Sequence, residues 1–153
     1  MTFLEHRIPP PVVALFFIIA MWFVSQLGLS VDLPPMLARV LTGGTLLLGL
    51  AIPIAGSIAF RKAKTTINPL KPEQASALVN TGVFKYSRNP MYLGMTLVLV
   101  AWAISLSSLA ALLLVPFFMV FIDRFQIQPE ERALAAIFGD EFDAYKHSVR
   151  RWL

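Results

Sequence analysis

Three long stretches without a charged residue constrain this chain more than any other feature. No Asp, Glu, Lys or Arg occurs in the 24 residues from Ile8 to Val31, the 21 from Val40 to Phe60, or the 34 from Asn89 to Ile122. A helix that crosses the hydrocarbon core needs about 20 apolar residues at about 1.5 Å each. The first two stretches therefore supply one span each, near residues 12–29 and 40–60. The third is too long for one span and slightly short for two. Its middle, Ser105-Leu106-Ser107-Ser108, is its most polar part. That pattern predicts a tight helical hairpin with arms Tyr92–Ile104 and Leu109–Ile122. One long tilted helix is the alternative, but about 50 Å of helix overshoots the bilayer badly. The expected fold class is an all-α integral membrane protein with four transmembrane segments. It forms one domain, with a cytoplasmic loop over 61–91 and a cytoplasmic tail over 123–153.

Composition agrees with that reading. The chain is 57% hydrophobic and 14% charged, against about 45–50% and 25% for soluble domains. Without Cys there is no disulfide scaffold and no thiolate metal centre. His6 and His147 are too few and too far apart in sequence to suggest a metal site. The net charge of +4 follows from membrane topology and calls for no nucleic acid partner.

Basic residues set the expected orientation. Of the 13 Lys and Arg residues, only Arg39 lies between the first two spans. Arg7, the loop residues Arg61, Lys62, Lys64, Lys71, Lys85 and Arg88, and the tail residues Arg124, Arg132, Lys146, Arg150 and Arg151 all fall on the other side. The positive-inside rule makes that side, and both ends of the chain, cytoplasmic. Glu5 and the Pro9-Pro10-Pro11 run argue for a retained first span rather than a secretory signal.

Within the second span Ala51, Ala55 and Ala59, with Gly43, Gly44, Gly49 and Gly56, suggest close helix approach. Pro53 and Pro116 mark either packing kinks or a widened cavity between helices.

Chemistry is expected outside the membrane. Residues 61–88 are long for a connection. Ala77-Leu78-Val79 and Val83-Phe84-Lys85-Tyr86 are apolar enough to be buried, with a turn at Asn80-Thr81-Gly82. Residues 65–72 read as an irregular extended strip. In the tail, Pro129-Glu130-Glu131 marks a helix start, Gly139 a stop and Asp140 a cap for the next helix. Phe142, Tyr145, Val149 and Trp152 fall on one stripe beside Lys146, Arg150 and Arg151. That pattern predicts an amphipathic helix on the membrane face, packed on the loop, or both. Ser87-Arg88-Asn89-Pro90-Met91-Tyr92 stands at the mouth of the hairpin, and Asp123, Arg124, Glu130 and Glu131 leave its other arm. These two groups are either a belt of interfacial polar residues or a site. No Walker loop, nucleophile elbow, paired-His motif or dinucleotide fingerprint accompanies them.

Leu78-Val79-x-x-Gly82-x-Phe84-x-x-x-Arg88-Asn89-Pro90-x-Tyr92-x-Gly94, followed by Glu130-Glu131-x-x-Leu134-x-x-x-Phe138-Gly139-x-x-Phe142-x-x-Tyr145, resembles the isoprenylcysteine carboxyl methyltransferase family in its small bacterial branch. Phospholipid N-methyltransferases share the general pattern. The resemblance implies an S-adenosylmethionine site held by Leu78, Val79, Asn89, Pro90, Met91, Tyr92 and Glu130. It departs from the eukaryotic pattern at Asn89, where that has His, at Phe84, where that has Tyr, and at Gln126, near which a substrate-side Arg falls. The implied acceptor is lipidic or prenylated, enters from the bilayer, and is first expected to be a carboxylate. Such a group is already nucleophilic, and Arg88 or Arg124 would orient it. An amine acceptor would need a proton removed, with Glu131 as base. Other readings are a sterol-reductase-like enzyme using NADPH and a non-catalytic membrane scaffold.

Overall fold

The computed structural model describes residues 8–65 and 76–153. The strip expected over residues 65–72 lies outside the described residues beyond Thr65. Among the described residues the elements are helical: α1 (Pro10–Ser25), α2 (Pro35–Lys62), a 3₁₀ turn (Gly82–Lys85), α3 (Pro90–Ser105), α4 (Leu109–Ile122), a π turn (Asp123–Ile127), α5 (Gln128–Phe138) and α6 (Asp140–Ser148). Proline opens α1, α2 and α3, where the missing N–H leaves no hydrogen bond unmade.

The expected hairpin is formed by α3 and α4. Ser108 ends its turn as the N-cap of α4, its hydroxyl accepting from Ala111 N at 3.2 Å. This turn pairs with the α1–α2 connection at the same end of the bundle. Val31 N donates to Ser107 O at 2.8 Å and Leu109 N to Leu29 O at 2.9 Å. Central in the bundle, α3 packs against α1, α2 and α4. Trp102 Nε1 pins it to α1 by donating to Ile18 O at 3.1 Å. Met21, Leu99, Ala111, Phe118 and Ile122 form the core between them.

Helix α2 leans on α3 through its smallest residues. A Cβ on Gly94 would meet the Pro53 ring and stand 2.7 Å from Gly49 O, and one on Gly49 would stand 3.0 Å from Gly94 O. The contact row is Gly49, Pro53, Gly56 and Ala59. The Ala51–Ala55–Ala59 stripe is not the interface: Ala51 is exposed and Ala55 only half-buried, because an i, i+4 row drifts around the helix. Pro53 serves packing, and Pro116 faces outward.

Two helices are long and apolar enough to cross a membrane: Pro35–Lys62, with 28 residues, and the continuous Leu109–Phe138, with 30. In the second, Leu109–Ile122 is the apolar part, and Asp123, Arg124, Glu130, Glu131 and Arg132 make the remainder polar. Helices α1 and α3 are apolar but shorter, 16 residues each.

The tail departs from expectation in two ways. First, α5 begins with Pro129 and two acids in its first turn, but it is no separate helix. The π turn joins it to α4, with Gln128 N donating to Asp123 O. A π turn inserts one residue and rotates the helix beyond it, so the face α5 presents is not a simple continuation of α4. Second, α6 ends at Ser148, and Val149 is extended with φ −129° and ψ 133°. The expected stripe therefore divides. Phe142, Tyr145 and Val149 pack with Val79 and Phe84, while Trp152 turns back against the bundle core. Gly139 makes the bend between α5 and α6 at φ 50°, a conformation that glycine adopts without strain.

Candidate active site

The site is built where the two hairpin arms leave the bundle. The chain enters α3 through Ser87-Arg88-Asn89, and Pro90 sets the first turn. One turn in, Tyr92 is buried, 5% exposed. Its hydroxyl donates to Glu130 Oε1 on α5 at 2.6 Å. A residue at the start of one arm thus meets a residue 38 positions later on the continuation of the other.

Beside this pair lies an ion cluster. Arg88 donates to Glu131 Oε1 from Nε at 3.2 Å and from Nη2 at 2.8 Å. Its remaining Nη1 reaches the carbonyls of Lys146 and Val149. Arg151 approaches Glu131 from the other side through Nε at 3.2 Å and Nη2, and donates from Nη1 to Asp123 Oδ1 at 2.9 Å. Burial pushes the Glu131 carboxyl up, but hydrogen bonds from Arg151 and Arg88 outweigh it and hold the group below the ordinary carboxylate range. Glu130, its sequence neighbour, goes the opposite way. Burial pushes it up to about 8 against the lowering effect of the Tyr92 hydroxyl, with the charge of Glu131 adding to the rise. Two adjacent carboxyls therefore hold different protonation states near neutrality, and Glu130 is the one able to take up or release a proton there.

The expected site residues divide accordingly. Arg88, Asn89, Tyr92, Glu130 and Glu131 come together. Asn89 is buried, and its Nδ2 donates to Arg151 O at 3.0 Å. Pro90 and Met91 turn toward α2, where Met91 Sδ and the Pro90 ring lie against Gly56. Both side chains pack against that helix. Val79 is buried with Phe84, Phe142 and Tyr145, and Leu78 is packed against that cluster. Leu134, Ala135 and Phe138 of α5 close its other side, so the segment sits along α5 beyond the ion cluster. Arg124 is exposed and donates to Gln128 Oε1 at 3.0 Å, while Gln128 Nε2 donates to Asp123 Oδ2 at 2.9 Å.

The two arginines and the two acids differ in their surroundings. Arg88 is committed to Glu131 and two carbonyls, with its side chain 11% exposed, whereas Arg124 is exposed beside Gln128. Glu131 is held ionised between two arginines, whereas Glu130 titrates nearer neutrality. Sequence reasoning missed Arg151 as part of the cluster. It counted Arg151 with a surface helix, and only the end of α6 at Ser148 brings it back. Gln126 is wholly buried, with Nε2 donating to Ile8 O at 2.9 Å and Oε1 unpartnered.

A family model described as phospholipid methyltransferase matches residues 37–141, more than half of the chain. An uncharacterized protein of Haemophilus influenzae is 48% identical over 63 residues, which is 41% of this chain and 100% of that protein. No solved structure matches.

Proposed function

Because the chain belongs to the phospholipid methyltransferase family, we propose that it moves the methyl group of S-adenosylmethionine onto a lipidic acceptor at the cytoplasmic face of a membrane. The observation that carries this reading is the Tyr92–Glu130 contact across the hairpin mouth. It places a buried hydroxyl and a proton-exchanging carboxyl where the apolar helices meet the polar tail. When bound, the cofactor supplies an electrophilic methyl on a sulfonium, and displacement needs positioning and charge management rather than a metal or covalent nucleophile. The residues fit such a group. Glu130 can accept from an ammonium or ribose hydroxyl, Asn89 and Tyr92 frame the same mouth, and the half-buried Leu78 keeps part of its apolar surface open for the base.

The acceptor enters sideways from the cytoplasmic leaflet in this reading. All four apolar helices cross or enter the membrane, with both ends and the mouth on the cytoplasmic side. Helices of 16 residues span about 24 Å, so α1 and α3 require modest local thinning of the bilayer. Two observations favour an amine headgroup over the carboxylate first expected. Arg88 is not free to hold a carboxylate, and Glu130 is suited to receive the proton an amine must lose on methylation. A carboxylate acceptor, held by Arg124, is the second reading.

The test is calorimetric titration of the detergent-solubilised protein with S-adenosylhomocysteine and, separately, NADPH. Binding of the first alone supports the proposal, whereas binding of NADPH alone overturns it. Radiolabelled methyl transfer to phosphatidylethanolamine, compared with a prenylated carboxylate, then separates the two acceptors.

A further inference from the structure

We propose that Arg151 is a positioning residue for the cofactor pair: it holds the start of α3 and the start of α5 at the separation that the Tyr92–Glu130 contact requires. This inference rests on the methyltransferase reading above.

The argument begins with what Arg151 touches. Its carbonyl accepts from Asn89 Nδ2 at 3.0 Å and from Ser87 Oγ at 3.3 Å. Its guanidinium bonds Glu131 on α5 and Asp123 in the π turn. One residue therefore grips both hairpin arms, through its backbone on one side and its side chain on the other. The Tyr92–Glu130 contact spans the same gap: Asn89 lies three residues before Tyr92, and Glu131 directly follows Glu130. The neighbouring carbonyl reinforces the attachment, since Arg88 N donates to Arg150 O at 3.0 Å.

The side chain suits the task. A planar fork with several donors can bridge two carboxylates at fixed geometry, which a single ammonium does less well. The ion pair is also sheltered, with the Glu131 side chain 13% exposed and that of Arg151 34%. Removing one partner there leaves a charge poorly compensated. The bundle core does not depend on this clamp. The residues buried between α1, α3 and α4 come from those helices and the π turn, and of the last five residues only Trp152 packs against them. The arms can therefore lose their relative placement at the mouth while the bundle stays folded.

The experiment is S-adenosylhomocysteine titration of the full chain in detergent, with far-UV circular dichroism to check helix content. Wild type comes first, because failure to bind there defeats the methyltransferase reading and not the role of Arg151. Given wild-type binding, Arg151→Ala is expected to weaken it about tenfold, within the range of coupling seen between residues of one network. Arg151→Lys keeps the charge, loses the fork and recovers only part of the affinity. If Arg151→Ala does not fold, Arg151→Lys carries the same comparison. Tyr145→Phe removes a different brace, the 2.7 Å bond to Phe84 O, and is expected to lower stability without changing affinity. The decisive comparison is made in a Tyr92→Phe background. If Arg151 acts through the Tyr92–Glu130 contact, its replacement there has less than half its former effect on affinity. Wild-type affinity in Arg151→Ala, full recovery in Arg151→Lys, or independent effects of Arg151→Ala and Tyr92→Phe would each overturn the proposal.

Discussion

Tyr92 donates its hydroxyl to Glu130 Oε1 at 2.6 Å, joining the first turn of α3 to the first turn of α5. Neither residue could reach the other without the α3–α4 hairpin, and neither belongs to the ion cluster beside them.

Replacing Glu130 tests the first consequence. Glu130→Gln keeps the shape and the contact with Tyr92 but removes the ionisable carboxyl, which carries its charge only above about pH 8. At pH 9 it is expected to weaken S-adenosylmethionine binding by about 1.5–3 kcal/mol, the range for a hydrogen bond to a charged group. Calorimetry showing wild-type affinity in Glu130→Gln would take Glu130 out of the site.

Stability should carry the signature of Glu130 on the alkaline side. Its carboxyl is raised from 4.5 to about 8 by burial. A raised group contributes stability that is complete below its unfolded value and lost as pH climbs through the folded one. The ligand-free protein should therefore melt at falling temperature from about pH 5 to about pH 8 and level off above, and Glu130→Gln should flatten that slope. Glu131, lowered by Arg151 and Arg88 against its burial, acts oppositely. Its contribution is present above 4.5 and disappears as the solution is acidified below it. Parallel slopes in wild type and Glu130→Gln would contradict this account.

Helix packing offers a separate check. At Gly94 a Cβ would run into the Pro53 ring and the backbone oxygen of Gly49, and backbone cannot step aside as a side chain does. Gly94→Ala should cost about 1–3 kcal/mol by overpacking. Gly44→Ala, with nothing within 4 Å, should be neutral or slightly stabilising. Equal melting temperatures for the two variants would remove the close α2–α3 approach from the account.

Membrane orientation is open to labelling, because the chain has no Cys of its own. Asp32→Cys and Ser105→Cys lie at the end where the two helix connections pair, and Tyr86→Cys lies near the mouth; all three positions are exposed. In right-side-out vesicles an impermeant maleimide is expected to label the first two and spare the third. Labelling at Tyr86→Cys alone would invert the topology.

Much of this fold was legible in the chain because a membrane filters sequences on a simple criterion. A run without charges that is long enough to cross must be helical, since no other open structure satisfies its backbone there. Ser105–Ser108 as a turn, Leu109–Ile122 as an arm and Gly139 as a helix stop all follow from local rules of that kind. Tyr92 and Glu130 as partners followed from the hairpin and the family resemblance together. Tertiary structure decided the rest. The π turn at Asp123–Ile127 sets the rotation of α5, and no local pattern in residues 123–127 announces it. Ser148, rather than Trp152, ends α6 because the chain beyond it finds partners across the mouth, where Arg88, Ser87 and Asn89 donate to its carbonyls. Arg88 and Glu131 pair with each other, and Glu131 with Arg151, for the same reason. A charge read from sequence has no partner assigned, and its role depends on which opposite charge the fold brings within about 3 Å, where pairing outweighs solvation only if the geometry is good.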